Sequence, residues 1–251
     1  MLIVGSGGYV ADSVLPYAPR GWFRGLLTRA PVRASGLARA YGLPLYTDFK
    51  EAKTDGLDAV YICSASASHA EDAQQAILAG FSKIWVEKPL VVTQSQWQAM
   101  QSNLPQLTAV MIKRHHCVLK DRPTVLYCFC SAMPKGVGEI LRTGGPFLNE
   151  LIHYIDAAGV LAGEGAVFSI TGNRRCGEMT AEGRLGSVKI CYDFVASEIR
   201  NDLAFYPDLM RSFFSNPGPA LLGHNDVTKL YGTCFDLLGR LEGERHVQTV
   251  D

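Results

Sequence analysis

The chain has 251 residues, of which 47% are hydrophobic and 19% charged, and its 24 basic residues balance its 24 acidic ones. This length allows one large domain or two smaller ones with a well-buried core, and the composition excludes a disordered chain. The charge balance indicates neither nucleic acid nor an anionic membrane surface as a partner.

The seven cysteines form no CxxC pair and no regular framework, which is typical of a reducing compartment. No apolar run approaches the roughly 18 residues of a membrane-spanning helix, and the N-terminus carries no basic leader. We therefore expect a cytoplasmic protein. We expect no metal site, because adjacent histidines such as His115 and His116 point to opposite sides of an extended chain.

From residue 1 to about 112, short apolar runs alternate with helix-like stretches, which predicts βαβ units on a parallel sheet. The predicted strands are Leu2–Val4, Phe23–Thr28, Ala59–Cys63, Ile84–Val86 and Ala109–Ile112. Helical spacing covers Ala34–Tyr41 and His69–Ala79, and Gly80 follows the second stretch as a C-terminal stop.

The first predicted strand leads into a glycine-rich turn and then a helix start. Gly5 permits the tight turn, and Gly7 lets a pyrophosphate approach the backbone near the free N–H groups of the helix. Val10 occupies the position of the third glycine of the usual fingerprint. The turn predicts dinucleotide binding mainly because it opens an alternating chain, since the two glycines alone would also suit a plain tight turn.

The end of the second strand reads Thr28-Arg29, followed by Arg33, with no acid. An acid at this position would accept hydrogen bonds from the ribose of NAD, whereas a hydroxyl and a guanidinium suit a 2′-phosphate. We therefore predict that NADP(H) is preferred and that NAD(H) is possible. The alternative is that Arg29 is a solvated loop arginine.

After about residue 117, β-branched and aromatic runs broken by turns predict antiparallel strands over Thr124–Ser131, Ala166–Thr171 and Ser187–Phe194. Pro146–Leu161 and Asn225–Leu241 are predicted helices. The predicted fold class is α/β: a Rossmann doubly wound parallel sheet over residues 1–114, then an α+β domain with a mostly antiparallel sheet over 115–251. The last helix could pack back on the first domain.

Three polar side chains recur along the predicted helix of the second domain. Glu150, His153 and Asp156 stand at i, i+3 and i+6, so neighbouring members share a face. A histidine oriented by a carboxylate can transfer protons near neutral pH. The alternative is a core histidine satisfied by a backbone group.

The stretch Ile84-Trp85-Val86-Glu87-Lys88-Pro89 contains an E-K-P motif, preceded by the Asp58–Ile62 strand and, after a Ser/Ala-rich loop, by His69. With the Gly5 turn and the Gly42–Asp48 stretch in register, residues 1–112 resemble the Gfo/Idh/MocA oxidoreductases. The resemblance implies that Lys88 lies beside substrate and nicotinamide and that Glu87 positions the loop or Lys88. The alternative is that Lys88 is only a structural ion-pair partner.

The resemblance is weaker in the second part. Family members commonly carry D-x-x-x-H-x-x-D there, and this chain keeps His153 and Asp156 but has Asn149 in place of the first acid. Either Lys88 and His153 alone carry the proton transfer, or Glu150 replaces the lost acid.

These arguments give three sets of candidate residues. The catalytic candidates are Lys88, His153, Glu150 and Asp156. The cofactor-binding candidates are Gly5, Gly7, Gly8, Tyr9, Val10, Thr28, Arg29, Arg33, Ser64, His69, Glu87 and Lys88. The substrate-binding candidates are Lys88, Arg114, His115, Asn149 and His153. Arg114 and His115 are implied by the resemblance, because the corresponding segment of the family opens the second domain near the substrate.

The leading hypothesis is an NAD(P)-dependent oxidoreductase that transfers a hydride between nicotinamide and a hydroxyl or carbonyl carbon of a sugar, polyol or nucleotide-sugar. Its partners would be a small-molecule substrate and, since relatives usually oligomerise through the open sheet, further copies in a homodimer or larger oligomer. One alternative is an NADPH-dependent imine reductase of the thiazolinyl type, and another is a catalytically silent dinucleotide-binding relative.

Overall fold

The computed structural model describes residues 1–115, 125–129, 148, 152–162, 166–172, 176–183, 186–193 and 206–247. Its contacts divide the chain into two compact units. The first contains Met1–His115 and Asp202–Val227, and the second contains His116–Asn201 and Thr228–Asp251. The segment Asp202–Val227, which the sequence analysis placed in the second part, thus groups with the N-terminal residues.

The first unit alternates strands and helices along the chain. Its strands are β1 (Leu2–Val4), β2 (Gly25–Leu27), β3 (Leu45–Tyr46), β4 (Ala59–Ile62), β5 (Lys83–Glu87), β6 (Leu107–Val110) and, from the returning segment, β11 (Leu221–Leu222). Its helices are α1 (Pro31–Tyr41), α2 (Phe49–Thr54), α3 (His69–Leu78), α4 (Gln94–Met100) and α6 (Tyr206–Ser215), with a short π-helix at Tyr9–Val14.

These strands form one sheet in the order β3-β2-β1-β4-β5-β6-β11. The pairs from β3 to β6 are parallel, and β11 runs antiparallel to β6. The chain progresses outward from β1 in one direction and then resumes at β4 on its other side. In such a doubly wound sheet, ligands bind outside the carboxyl ends of the strands at this switch point, between β1 and β4.

The sheet is buried on both sides, so its strands are continuous apolar runs. All three residues of β1 and of β2 are buried. The returning helix α6 packs an aromatic surface on the sheet: the ring of Phe213 lies 5.9 Å from that of Trp85 and 6.0 Å from that of Tyr61. This apolar packing explains why Asp202–Val227 joins the first unit.

The second unit contains a smaller sheet and two helices. Its described strands, β7 (Val125–Phe129), β8 (Val167–Gly172), β9 (Cys176–Gly183) and β10 (Gly186–Asp193), form a sheet in the order β7-β10-β9-β8. The β10–β9 and β9–β8 pairs are antiparallel, and the β10–β7 pair is parallel. Its helix α5 is Ile152–Ala162, and the last helix, α7 (His224–Val247), lies in this unit from Thr228 onward. The predicted fold class is confirmed.

Most predicted elements are present with shifted ends. Strand β1 has the predicted bounds, while β2 is shorter at both ends and α1 begins at Pro31, since proline is well tolerated in the first turn of a helix. Several elements were not predicted from the sequence, namely β3, β9, β11, α2, α4 and α6. Most of these are short, and length is what makes a periodic pattern recognisable.

Candidate functional site

The turn after β1 crosses the carboxyl end of β4. Gly5 has a φ of +110°, and a Cβ on it would lie 2.7 Å from the carbonyl oxygen of Cys63 and 2.9 Å from Cα of Ser64. Its N–H donates to the carbonyl oxygen of Leu27 at 2.9 Å. Only glycine suits this position, because both the backbone conformation and the space exclude a side chain.

Gly7 differs from Gly5, because a Cβ there would meet nothing within 4 Å and the residue is exposed. Gly8, also exposed, precedes the short helix, in which Tyr9 is partly buried and Val10 is fully buried. The turn therefore has a packed side at Gly5 and an open side at Gly7. An open, side-chain-free backbone at the switch point fits the approach of a pyrophosphate.

The end of β2 is tied to this turn by hydroxyl groups. The Ser6 and Thr28 hydroxyl oxygens lie 3.0 Å apart, and Thr28 Oγ1 also accepts a hydrogen bond from the Ala30 N–H at 3.1 Å. Thr28 is buried. Its hydroxyl is thus engaged within the protein, and this favours a role in shaping the turn; its predicted contact with a cofactor remains a prediction.

Arg29 is paired with two acids of α3, neither of which is among the residues predicted from the sequence. Its Nη2 lies 2.5 Å from Oδ1 of Asp72 and 3.5 Å from Oε2 of Glu71. Asp72 also accepts a hydrogen bond from the Ser64 hydroxyl at 2.5 Å. Arg33 lies on α1 and is exposed. The second strand therefore ends in a charged network that reaches across to the loop after β4.

Glu87, the last residue of β5, has a buried carboxylate that accepts hydrogen bonds from three donors. Its Oε1 accepts from the hydroxyls of Tyr9 at 2.9 Å and Tyr61 at 2.5 Å, and its Oε2 accepts from the Lys88 N–H at 3.1 Å. Three donors compensate the burial of a charged carboxylate. Glu87 thus connects the glycine-rich turn, strand β4 and the backbone of Lys88.

The buried charge of Glu87 affects its neighbours. Burial, reinforced by the negative charge of Glu87, raises the pKa of the Tyr61 hydroxyl and of the Cys63 thiol well above their ordinary values. Both groups therefore stay protonated at neutral pH. Cys63 is an unreactive core residue rather than a nucleophile.

His69 fixes the loop on the other side of Lys88. It is buried, with Nδ1 2.8 Å from the carbonyl oxygen of Pro89 and Nε2 2.9 Å from that of Ser64. Pro89 is buried while Lys88 itself is only partly buried. With Glu87 on one side and His69 on the other, the backbone around Lys88 is held at the carboxyl edge of the sheet.

We expect Glu87→Gln to lower the free energy of unfolding of the first unit by about 1–3 kcal/mol, because an amide cannot accept all three hydrogen bonds. Urea unfolding followed by tryptophan fluorescence measures this, since Trp22, Trp85 and Trp97 all lie in the first unit. The control is Tyr9→Phe, which removes one donor and should cost only about 0.5–1.5 kcal/mol. An unchanged Glu87→Gln midpoint would show that the carboxylate does not hold the loop.

In the second unit, His153 and Asp156 lie three residues apart on α5, and both are buried. Their spacing places them on one face of the helix. The charge of Asp156 also acts on Cys234 of α7, whose pKa is raised first by burial and then by this carboxylate. The other two candidates of this segment, Asn149 and Glu150, lie outside the described residues.

Arg114 and His115 end a 3-10 turn, Ile112–His115, after β6, and both are partly exposed. The His115 ring packs against Phe213 of α6 with ring centroids 6.4 Å apart. Their proposed contact with substrate remains a prediction.

Within the described ranges, no group of three or more His, Cys, Asp or Glu side chains is placed to hold a metal ion. No helix in this part of the chain is long and apolar enough to cross a membrane.

In a comparison with protein families, residues 1–115 match the model GFO_IDH_MocA, described as an oxidoreductase family with an NAD-binding Rossmann fold. No curated protein matches the chain.

Several solved structures are similar over most of the chain. A myo-inositol dehydrogenase from Corynebacterium glutamicum is 14% identical, with 97% of this chain and 96% of that one covered and a TM-score of 0.76. A putative myo-inositol dehydrogenase from Sinorhizobium meliloti is 16% identical, with 97% of each chain covered and a TM-score of 0.71. A 3-ketoreductase from Actinomadura kijaniata, in complex with NADP and TDP-benzene, is 19% identical, with 77% and 69% covered and a TM-score of 0.60. Because the sequence identities are this low, the similarity to these structures shows the fold alone.

Proposed function

On the premise that residues 1–115 belong to the Gfo/Idh/MocA oxidoreductase family with its NAD-binding Rossmann fold, we propose that the protein is an oxidoreductase. It transfers a hydride between a nicotinamide cofactor and a hydroxyl or carbonyl carbon of a sugar, polyol or nucleotide-sugar. The observation that carries the proposal is the position of Lys88. This lysine follows β5 at the carboxyl edge of the sheet, and its backbone is held by Glu87 and by the contact between His69 and Pro89.

The residues present fit a dinucleotide. The turn at Gly5 is packed against β4, whereas the exposed backbone at Gly7 carries no side chain and has open space beside it. This arrangement lies at the switch point of the sheet, where such ligands bind. Gly7, Gly8 and Tyr9 would hold the pyrophosphate, and the end of β2 would face the adenosine ribose.

When bound, the nicotinamide supplies the hydride chemistry. The protein contributes the proton. In the reducing direction, the Lys88 ammonium donates to the substrate oxygen as negative charge develops on it, and in the oxidising direction the neutral amine accepts the hydroxyl proton. His153, which lies on the same face of α5 as Asp156, is proposed as a second proton-transfer group.

For the cofactor, we take NADP(H) as preferred and NAD(H) as possible. More than half of the Arg29 side chain is exposed, and the end of β2 carries no acid of its own. A guanidinium can form charge-assisted hydrogen bonds with a 2′-phosphate.

Arg29→Ala should weaken NADPH binding by about tenfold or more, the value of a hydrogen bond to a charged group, and change NADH binding much less. Fluorescence titration of the purified protein with each nucleotide measures both constants. Arg39→Ala, an exposed arginine near the end of α1, is the matched control and should change neither. Equal losses for NADPH and NADH would remove the assignment of Arg29 to the 2′-phosphate.

The reaction itself is tested by following nicotinamide absorbance with a panel of sugars, polyols and nucleotide-sugars, and in parallel with cyclic imines. Turnover of a member of the first group supports the proposal, and turnover of imines alone replaces it with an imine reductase. Tight nucleotide binding without turnover of any compound would favour a silent relative.

A further inference from the structure

Arg29 is joined to α3 through both of its terminal nitrogens. Nη2 lies 2.5 Å from Oδ1 of Asp72, and Nη1 lies 3.5 Å from Oδ2 of the same carboxylate. Glu71 adds a second carboxylate, 3.5 Å from Nη2. The end of β2 therefore lacks an acid in its own sequence but receives two acids from a helix more than forty residues away.

The two acids differ in exposure. The Asp72 side chain is 2% exposed, whereas that of Glu71 is 70% exposed. Asp72 also accepts a hydrogen bond from the Ser64 hydroxyl, which holds its carboxylate in this position. Water and salt screen the charge of Glu71, while the charge of the buried Asp72 is screened much less.

The local charge balance opposes a phosphate. Arg29 contributes one positive charge, and Asp72 and Glu71 contribute two negative ones, so this group of three carries a net negative charge. A 2′-phosphate adds a further negative charge, whereas the 2′-hydroxyl of NAD adds none. Because the Arg29 guanidinium is already paired with the buried carboxylate of Asp72, fewer of its N–H donors and less of its positive charge are left to bind a phosphate.

We propose that Asp72 is a specificity-determining residue that lowers the preference of Arg29 for the 2′-phosphate, so that the site also accepts NADH. Asp72 acts through Arg29 and is a positioning residue rather than a catalytic one. This inference rests on the proposed function, because it requires a nicotinamide dinucleotide to bind beside the end of β2. Glu71 acts in the same direction but more weakly.

Two consequences of Asp72→Asn oppose each other. Removing the negative charge of Asp72 strengthens the attraction between Arg29 and a phosphate. It also frees the Arg29 guanidinium, which Asp72 holds in place. We expect the charge to dominate, because a unit charge several ångströms away in a weakly screened environment changes an affinity by about tenfold. Glu71 remains beside Nη2 and still restrains the guanidinium.

The experiment titrates the full chain with NADPH and with NADH for the wild type, Asp72→Asn and Glu71→Gln. Asp72→Asn should tighten NADPH binding by about tenfold and change NADH binding less than about twofold. Glu71→Gln should tighten NADPH binding by about two- to threefold in low salt, and this gain should disappear in about 0.5 M salt because exposed charges are screened. Glu51→Gln on α2, an exposed acid, is the control and should change neither constant.

Weaker NADPH binding by Asp72→Asn would overturn the proposal and make Asp72 a residue that presents Arg29 to the phosphate. Equal changes for both nucleotides would also overturn it and leave Asp72 a purely structural role. If Asp72→Asn does not fold, Glu71→Gln tests the charge argument in its place, because the Glu71 side chain is exposed and its substitution should not disturb folding. An unchanged dissociation constant for NADPH in low salt would then contradict the proposal. If the wild type binds neither nucleotide, the proposed function itself fails.

Discussion

Lys88→Met should lower the turnover number by about 10²–10⁴, the usual contribution of a positioned proton-transfer group, while NADPH binding stays close to that of the wild type. Methionine has a similar length and no charge, so it removes the ammonium with little change in volume. The backbone of this position is fixed by Glu87 and by the contact of Pro89 with His69, neither of which depends on the lysine side chain. The substitution therefore tests chemistry rather than folding.

The measurement is the rate of nicotinamide oxidation or reduction with the substrate found in the panel, together with a fluorescence titration of cofactor. Lys83→Met is the matched control, because Lys83 is an exposed lysine at the other end of the same strand. Its ammonium lies over the face of the Trp85 ring, 4.5 Å from the ring centroid. Wild-type turnover in Lys88→Met would show that this lysine is not the proton-transfer group.

Gly5→Ala is expected to destabilise the first unit by roughly 3 kcal/mol or more, because a non-glycine residue is strained at this φ and its Cβ has no space. The contacts that a Cβ would make, 2.7 Å to the Cys63 carbonyl oxygen and 2.9 Å to Cα of Ser64, are with backbone atoms. No side-chain rotation relieves them, so β1 and β4 would have to separate. These are the two strands between which the candidate cofactor site lies.

Urea unfolding followed by tryptophan fluorescence measures the loss, and a nucleotide titration measures its effect on binding. Gly7→Ala distinguishes the effect of the turn on stability from its effect on ligand binding, because a Cβ at Gly7 has no atom of the described residues within 4 Å. It should leave the unfolding midpoint nearly unchanged and weaken dinucleotide binding, because the added methyl group occupies the open side of the turn. A stable Gly5→Ala variant, or full nucleotide affinity in Gly7→Ala, would contradict this account of the turn.

The predicted positions of Gly5 and Lys88 agree with the structure because both depend on short-range pattern. A three-residue apolar strand followed by glycines, and a buried strand ending in a charged residue and proline, can be recognised within ten residues. The same holds for α3, which the sequence placed at His69–Ala79 and the structure at His69–Leu78. Local backbone preference and burial decide these features, and both are properties of neighbouring residues.

The partners of these residues could not be predicted in this way. Glu87 binds Tyr9 and Tyr61, which are 78 and 26 residues away, and Arg29 binds Asp72 at a separation of 43 residues. Such contacts depend on the strand order, which places β1 and β4 side by side and β5 next to β4. The predicted doubly wound class implies such an order, but no periodicity in a single sequence shows which side chains of neighbouring elements meet.

The sequence by itself therefore determined the α/β class of the first unit, the glycine turn and the residues at the carboxyl edge of the sheet, because each follows from the conformational and hydrophobic preferences of adjacent residues. Only the tertiary structure decided that Asp202–Val227 completes this unit, through β11 and the aromatic face of α6. It also decided that Arg29, at the end of β2, forms an ion pair with the buried Asp72, because only long-range packing brings α3 beside that strand.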